Sequence, residues 1–389
     1  MTPPAISNAA GLAPSEEQRL LVDSVVRLAT VRDFRGVTHR ADSDHVFPWE
    51  IWDGLCEMEL PGLDLATELG GQGGGCLDVA YVFEALAGHS IAATTAHFTF
   101  SGFGSHVVAW LDETHPLREL LPGLVDGSVR VALGLTEASG GSDLARMRTR
   151  LVRDGGGWRL QGSKMFTTLA AEATHIFFGC LVECDGAWRD RFALAVVPSG
   201  AVGMTVTRLE IEALRTTPTC EVGLENVEVT EGFVVEPPDG FSALMNVLNR
   251  ERIAVAAQSI GLGRRAIELA LEYAETREVS GGTLASKQTV AHRLVDCWED
   301  LEAARLLVLQ AAAELDAGEK SGVLPTMAQR NAASVAHTAA DLGVQLHGGA
   351  GLERASEVHR LWRDTRLHLI GPVAREEAAD YLFRHMRKK

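Results

Sequence analysis

The sequence predicts a protein with an α–β–α order: an N-terminal all-α domain, a middle antiparallel β-barrel or sandwich, and a C-terminal four-helix bundle. Apolar residues recur at the helical spacing of three and four positions in the first third of the chain and again in the last. The central third instead contains short β-rich runs separated by Gly, Asp and Pro turns. The predicted segments are a disordered lead at 1–14 and domains at 15–128, 129–236 and 237–389.

Each domain is indicated by particular stretches of sequence. The segment "SEEQRLLVDSVVRLATV" has helical periodicity, and Ser15 at its start is a suitable N-cap. In the middle domain, "THIFFGCLV", "RFALAVVP" and "CEVGLENVEV" are typical of strands. The segment 241–278 continues for more than 30 residues with few breakers. Long helices joined by short loops predict a bundle.

Composition excludes several classes of function. The net charge of −16 disfavours sequence-independent binding to nucleic acid and binding to an anionic membrane. No apolar run reaches the length of a membrane span, and the N-terminus lacks the basic and apolar regions of a signal peptide. Six cysteines are few for 389 residues, which predicts free thiols in a reducing, cytoplasmic compartment and no metal site.

Glycine-rich segments were compared with known phosphate-binding loops. "GGQGGG" at 70–75 has no βαβ unit around it, so a structural loop is favoured over a dinucleotide site. The loop "LGLTEASGGSD" at 133–143 is more informative, because small residues let the backbone approach a ligand closely. The segment "GSKMFTT" at 162–168 then places an aromatic ring and two hydroxyls at the end of a strand.

Together these motifs resemble those of the acyl-CoA dehydrogenase family of flavoproteins. "TEASGGSD" is similar to the family's T-E-P-x-A-G-S-D loop, and "GSKMFTT" to its G-x-K-x-[WF]-I-T segment. "LRTTPTCEVGLENVEV" is similar to the following strands, and "QLHGGAGLERASEVHRLWRDTRL" to the Q-x-x-G-G-x-G helix break. The resemblance covers nearly the whole chain, in the same α–β–α order.

The resemblance implies FAD as the cofactor. The backbone around Leu135 and Thr136 would bind the pyrimidine edge of the flavin. Phe166 and Thr168 would cover the isoalloxazine ring near N5. Gly141 belongs to the same loop as the first pair.

Two further sets of residues are implied. Ser142 would reach both the pyrophosphate and the pantetheine part of the substrate. In this family a neighbouring subunit completes the FAD site, which implies a homodimer or homotetramer. The residues that match this second set are Arg277, Gln288, Gln345, Gly348 and Gly349.

Some positions depart from the family pattern. Ala138 replaces a proline, Leu169 replaces an asparagine, and Ser280 stands where phenylalanine is usual. The departures around Ser280 and Ala374 keep open an alternative in which the chain is the partner subunit of a hetero-oligomeric enzyme with an incomplete site.

The implied reaction is α,β-dehydrogenation of an acyl thioester, in which a carboxylate takes the α proton and flavin N5 accepts the β hydride. Many family members place that glutamate in a C-terminal I-[YG]-E-G-T motif. The stretch "HLIGPVAREE" puts Pro372 at the glutamate position, and proline cannot accept a proton. As local structure, Pro372 is predicted to occupy the first turn of a helix. Glu376 and Glu377 follow one turn later, too far along to replace the base.

A better candidate base lies on the long helix. Glu251 follows Leu244 and Leu248 at a spacing that puts it on an apolar stripe. The alternative interpretation is a structural glutamate that is paired with Arg250, Arg252 or Arg305, or that lies at the solvent-exposed edge of the stripe. A subset of the family carries its base at this helix position, in an E-R dipeptide. The resemblance therefore implies Glu251 as the catalytic base, with Arg252 and Asn249 on the substrate side.

The sequence thus predicts an FAD-dependent acyl thioester dehydrogenase. The acyl group of the substrate would be carried by CoA or an acyl carrier protein. The electrons would pass to an electron-transferring flavoprotein or a similar protein. Besides the hetero-oligomer, a flavin-dependent monooxygenase or oxidase on the same fold remains an alternative.

Overall fold

The structure is a computed structural model, and it describes residues 12–141, 144–184, 191–236 and 241–387. Most of the predicted disordered lead lies outside this range. The helices, in chain order, are α1 Glu16–Val31, α2 Phe34–Asp44, α3 Trp49–Glu57, α4 Cys76–Ala87, α5 Ile91–Ala96, α6 Phe103–Val108, α7 Leu121–Asp126, α8 Phe241–Thr276, α9 Gln288–Asp316, α10 Val323–His347, α11 Glu357–His368 and α12 Arg375–Met386. The strands are β1 Val131–Gly134, β2 Arg150–Asp154, β3 Gly157–Thr168, β4 His175–Val182, β5 Phe192–Pro198, β6 Met204–Arg208, β7 Thr219–Val229 and β8 Val234–Val235.

The α–β–α order of the elements confirms the predicted fold class. Ser15 caps α1 as expected, because its hydroxyl accepts from Gln18 N while the Gln18 side chain accepts from Ser15 N. The long helix α8 has 36 residues. The domain boundaries read from the sequence stay a prediction.

Contacts between residues divide the chain into two compact units, and each unit is built from separate stretches of sequence. One unit contains residues 12–39, 75–91 and 252–387 of the described chain, and the other contains 40–74 and 92–251. The long helix α8 contributes residues up to Glu251 to the second unit and its remainder to the first.

The second unit is organised around an eight-stranded sheet in the order β6-β7-β3-β2-β4-β5-β8, with β1 also paired to β4. Most pairs are antiparallel, as predicted, but β4 pairs in parallel with both β1 and β2. Along β4, Phe177 and Leu181 belong to one hydrophobic cluster, whereas Ile176, Phe178 and Cys180 belong to another. Both faces of this strand are therefore covered, which explains its nearly continuous apolar sequence.

The first unit is held together by small residues and by charged pairs between helices. A side chain at Gly263 on α8 would meet the Ala336 backbone of α10 at 3.0 Å, so glycine permits this close approach. Glu84 on α4 bonds both Arg264 on α8 and Arg305 on α9. No helix within the described residues is long and apolar enough to cross a membrane.

The expectation that Pro372 opens a helix was wrong. Helix α12 begins at Arg375, and the preceding residues form a bend in which the Gly371–Pro372 peptide is cis. The bend is fixed from outside, because the buried Gln329 amide donates to the carbonyls of His368 and Gly371 at 3.1 and 3.4 Å. These side-chain bonds satisfy carbonyls that a continuing helix would have used itself.

Candidate active site

The structure brings the two central motifs together. Leu135 and Thr136 follow β1, and Phe166 and Thr168 end β3. Met165 N donates to Thr136 O at 2.9 Å, so the loop after β1 is bonded to the end of β3. Four of the predicted cofactor residues therefore lie on adjacent backbone segments within one unit.

A buried ion pair fixes this junction. Lys164, fully buried, donates from Nζ to Glu137 Oε1 at 2.8 Å and to Leu135 O at 3.2 Å. Glu137 also accepts from Arg148 N at 2.6 Å, and from Thr149 N and Oγ1 at 3.0 and 2.6 Å. One carboxylate thus ties the loop after β1 to β3 and to the start of β2.

Hydrogen bonding keeps the Glu137 carboxylate ionised despite its burial. Burial alone would raise the pKa of Glu137, but the hydrogen bonds from Lys164 and Thr149 lower it to about 2. Burial lowers the pKa of Lys164, against the opposing influence of Glu137. Space for the lysine stem depends on Gly134, where a Cβ would approach Lys164 Cγ at 3.2 Å and the Phe178 ring at 2.9 Å.

Phe166 holds an unusual position beside this pair. Its backbone has a φ of 57°, in the left-handed region, and its side chain is 58% exposed. The register between β3 and β7 shifts between Lys164 and Thr167, which places Phe166 within an irregularity of the strand. An exposed aromatic ring on a strained backbone is costly in isolation and is typical of a ligand-binding position.

The remaining residues of the glycine-rich loop are less defined. Gly141 is exposed at the end of a described segment. Ser142, predicted to contact the pyrophosphate and the substrate, lies outside the described residues.

The predicted base lies on α8, in the same unit as the two flavin motifs. Earlier on this helix, Leu244 and Val247 are buried in a hydrophobic cluster of the unit and Leu248 packs against it. Asn249 is 2% exposed, whereas Glu251 is half-buried. Glu251 is therefore partly accessible to solvent, and its role stays a prediction.

A second charged cluster in the same unit includes Arg250, the residue that precedes Glu251. Asp64 Oδ2 bonds His106 Nε2 at 2.7 Å and Arg250 Nη1 at 3.5 Å. Burial would raise the pKa of Asp64, but His106 and Arg250 hold it well below its usual range. Asp64 therefore gives Arg250 a carboxylate partner other than Glu251, just as Glu84 does for Arg305.

In the other unit, the second predicted set of cofactor residues is solvent-exposed. Near them, the Tyr273 ring stacks on His347 with centroids 4.2 Å apart, which joins the last turns of α8 and α10. Arg252 on α8 is half-buried in this unit. The exposed set comprises Arg277, Gln288, Gln345, Gly348 and Gly349.

Sequence reasoning missed Glu137, Lys164, Asp64 and His106. The first two carried a signal, because Glu137 follows directly on the uncharged run "VALGLT" and Lys164 is the one charge of "GSKMFTT". Opposite charges beside such runs indicate a buried pair. Asp64 and His106 lie in helical and loop segments with no comparable pattern.

Comparisons with known proteins agree along the whole chain. Three family models match: "Acyl-CoA dehydrogenase, N-terminal domain" at residues 15–128, "middle domain" at 132–227 and "C-terminal domain" at 238–372. Acyl-CoA dehydrogenase FadE12 of Mycobacterium tuberculosis is 30% identical over 343 residues, covering 87% of this chain and 88% of that protein. A 3-sulfinopropanoyl-CoA desulfinase of Paraburkholderia xenovorans is also 30% identical, over 366 residues and 92% of each chain.

Solved structures share the fold. The butyryl-CoA dehydrogenase of Megasphaera elsdenii superposes with a TM-score of 0.90 at 23% identity, covering 96% of this chain and 99% of the other.

Proposed function

The chain belongs to the acyl-CoA dehydrogenase family of FAD-dependent oxidoreductases, and we propose that it dehydrogenates an acyl thioester with Glu251 as the catalytic base. FAD is its cofactor, and when bound it supplies the acceptor for the β hydride. The observation that carries the assignment of the base is the position of Glu251, half-buried at the end of an apolar stripe, in a chain with proline at the alternative base position.

The residues present fit a flavin. The exposed Phe166 ring offers an apolar face to a planar heterocycle, and the Thr136 backbone beside it offers polar atoms to a ring edge. In this proposal Leu135, Thr136, Phe166 and Thr168 hold the flavin ring. Gly141 and Ser142 would lie along the pyrophosphate.

Glu251 would remove the α proton. Leu244 and Leu248 precede Glu251 at helical spacing on α8, so the proposed base would share a helix face with apolar side chains. Asn249 and Arg252 flank Glu251 on α8 and are proposed to line the substrate side.

Replacement of Glu251 by Gln tests the assignment. Flavin should remain bound, while the rate at which an acyl-CoA substrate bleaches it should fall by roughly two to four orders of magnitude. The matched control is Glu376→Gln, an exposed glutamate in the first turn of α12, which should react at the wild-type rate. If Glu251→Gln bleaches as fast as wild type, or if Glu376→Gln is the inactive variant, the assignment of the base is wrong.

The exposed second set supports a shared FAD site. We propose that Arg277, Gln288 and Gln345, with the two glycines at 348–349, complete the FAD site of another copy of the chain in a homodimer or homotetramer. The chain expressed alone should then purify as an oligomer with close to one FAD per subunit. A colourless monomer would instead favour the hetero-oligomeric alternative.

The substrate and the electron acceptor are proposed at the level of class. Flavin bleaching by CoA thioesters, compared with thioesters of an acyl carrier protein, distinguishes the two carriers. An electron-transferring flavoprotein is the proposed acceptor. Rapid oxygen consumption by the reduced enzyme would favour a monooxygenase or oxidase. The cytoplasm remains the predicted compartment.

A further inference from the structure

The charge of Lys164 lies directly behind one peptide group of the proposed flavin site. Lys164 Nζ donates to Leu135 O at 3.2 Å, and that carbonyl belongs to the peptide that joins Leu135 to Thr136. The peptide is trans, so its C=O and N–H point in opposite directions. With the ammonium on the carbonyl side, the N–H of Thr136 is directed away from Lys164.

This arrangement makes the Thr136 N–H a stronger donor. A hydrogen bond to the oxygen of an amide polarises the whole group, so its N–H becomes more positive. Solvent does not screen the ammonium, because Lys164 is fully buried and an interior dielectric weakens a charge far less than water does.

The negative partner does not cancel this effect. Glu137 accepts hydrogen bonds from Arg148 N and from both Thr149 donors in addition to Lys164. The Glu137 carboxylate is thus shared among several donors, whereas Leu135 O receives the Lys164 ammonium directly. These bonds also hold Lys164 in one position, so no reorganisation is needed when charge develops nearby.

We propose that Lys164 is a positioning residue that acts through the Leu135–Thr136 peptide to favour reduced over oxidised flavin. Two-electron reduction at neutral pH places negative charge on the pyrimidine edge of a flavin, and a strengthened N–H donor stabilises that charge. The inference rests on the proposed placement of the pyrimidine edge at this peptide. It assigns to the buried lysine a role in tuning the flavin potential, in addition to its role in holding the two motifs together.

The test is the midpoint potential of the bound flavin in two variants of the holoenzyme, measured without substrate. Lys164→Met removes the ammonium and leaves Glu137 with its other donors. The double variant Lys164→Gln with Glu137→Gln removes both charges and keeps the hydrogen-bonding groups, which preserves folding if the single variant does not fold.

In both variants, the affinity for reduced flavin should fall more than the affinity for oxidised flavin, compared with wild type. We expect about a tenfold loss of this preference in Lys164→Met, which lowers the midpoint by about 30 mV for a two-electron couple. The double variant should shift less, because it lacks the residual negative charge of Glu137. The matched control is Leu160→Ala, a buried position on the same strand, which should lose stability and keep the wild-type potential.

Three results would overturn the inference: an unchanged potential in both lysine variants, an equal loss of affinity for both flavin forms, or an equal shift in Leu160→Ala. A Thr136→Pro variant, which lacks the backbone N–H at this position, separates the possible reasons for such a failure. If it alters FAD affinity or the flavin spectrum while Lys164→Met does not alter the potential, only the inference fails. If neither variant has an effect, the placement of the flavin edge is wrong as well. The assignment of Glu251 is independent of both results, because no substrate is present.

Discussion

The two units of the molecule bury polar side chains in opposite ways. In the unit that contains the sheet, Glu137 forms a buried pair with Lys164, and its carboxylate stays ionised at physiological pH. In the unit of the long helices, the buried His368 bonds Ser259 Oγ through Nδ1 at 2.7 Å. Burial lowers the pKa of His368 to about 4, so this centre is neutral at physiological pH.

The difference lies in the partners that each fold provides. Glu137 receives charged and backbone donors from two segments, and together they outweigh the cost of removing a carboxylate from water. His368 has a hydroxyl partner, and Ser259 donates its own hydrogen to Val255 O at 2.8 Å. The imidazole of His368 therefore joins α11 to α8 without a charge, whereas the Glu137 carboxylate joins the loop after β1 to β3 and to the start of β2.

The largest expected loss of stability comes from replacing Glu137, the acidic member of the buried ion pair. Glu137→Leu leaves the fully buried Lys164 without its carboxylate, and removing one partner of a buried pair costs about 3–5 kcal/mol. Urea unfolding should show this loss. Lys164→Met should cost less, because Glu137 keeps its three donors from Arg148 and Thr149. Equal losses in the two single variants would contradict this asymmetry.

The next effect is the loss of stability at acid pH that follows from protonation of the buried His368. The pKa of His368 is about 4 in the folded chain, below the ordinary value of about 6.5, so the unfolded chain binds the proton more readily. The stabilising contribution is therefore complete above pH ~6.5 and declines as the pH falls to ~4, by about 3 kcal/mol in total. Urea unfolding at several pH values should show a smaller decline in His368→Gln than in wild type. Parallel curves for the two proteins would rule out His368 as the cause.

A smaller effect is expected from the hydroxyl that bonds the histidine. Ser259→Ala removes the acceptor of His368 Nδ1 and leaves that buried nitrogen without this bond. The expected cost is about 1–3 kcal/mol at pH 7.5, measured by urea unfolding. Ser334→Ala on α10 is the control, since Ser334 bonds a carbonyl of its own helix and should change stability little. A cost no greater than that of the control would show that the bond to Ser259 is dispensable.

The smallest effect is expected from an exposed pair in the same unit as Glu137. Arg153 and Glu231 form a two-point ion pair, but their side chains are 56% and 55% exposed. Solvent screening limits such a pair to about 0–1 kcal/mol. Glu231→Gln should therefore barely change the unfolding midpoint. A loss as large as that of Glu137→Leu would show that burial is not what distinguishes these pairs.

Much of the fold follows from local patterns in the sequence. The capping box at Ser15 and the 36 residues of α8 depend on neighbours within a few positions, so periodicity and capping chemistry predict them. The parallel pairing of β1 with β4 was not predicted, because alternation along a strand does not identify its partner. The bend at Pro372 was missed for a similar reason, since it depends on the side chain of Gln329, about 40 positions earlier.

The candidate site divides in the same way. The sequence by itself determined the family motifs, and from Pro372 and Glu251 it predicts where the base lies, because each is a matter of which residue stands in a short pattern. Only the tertiary structure decided that Lys164 reaches Glu137, 27 positions away, and lies behind the Leu135–Thr136 peptide. A residue's type fixes the charge it can carry, but whether that charge survives burial and which peptide it polarises depend on the groups that folding packs around it.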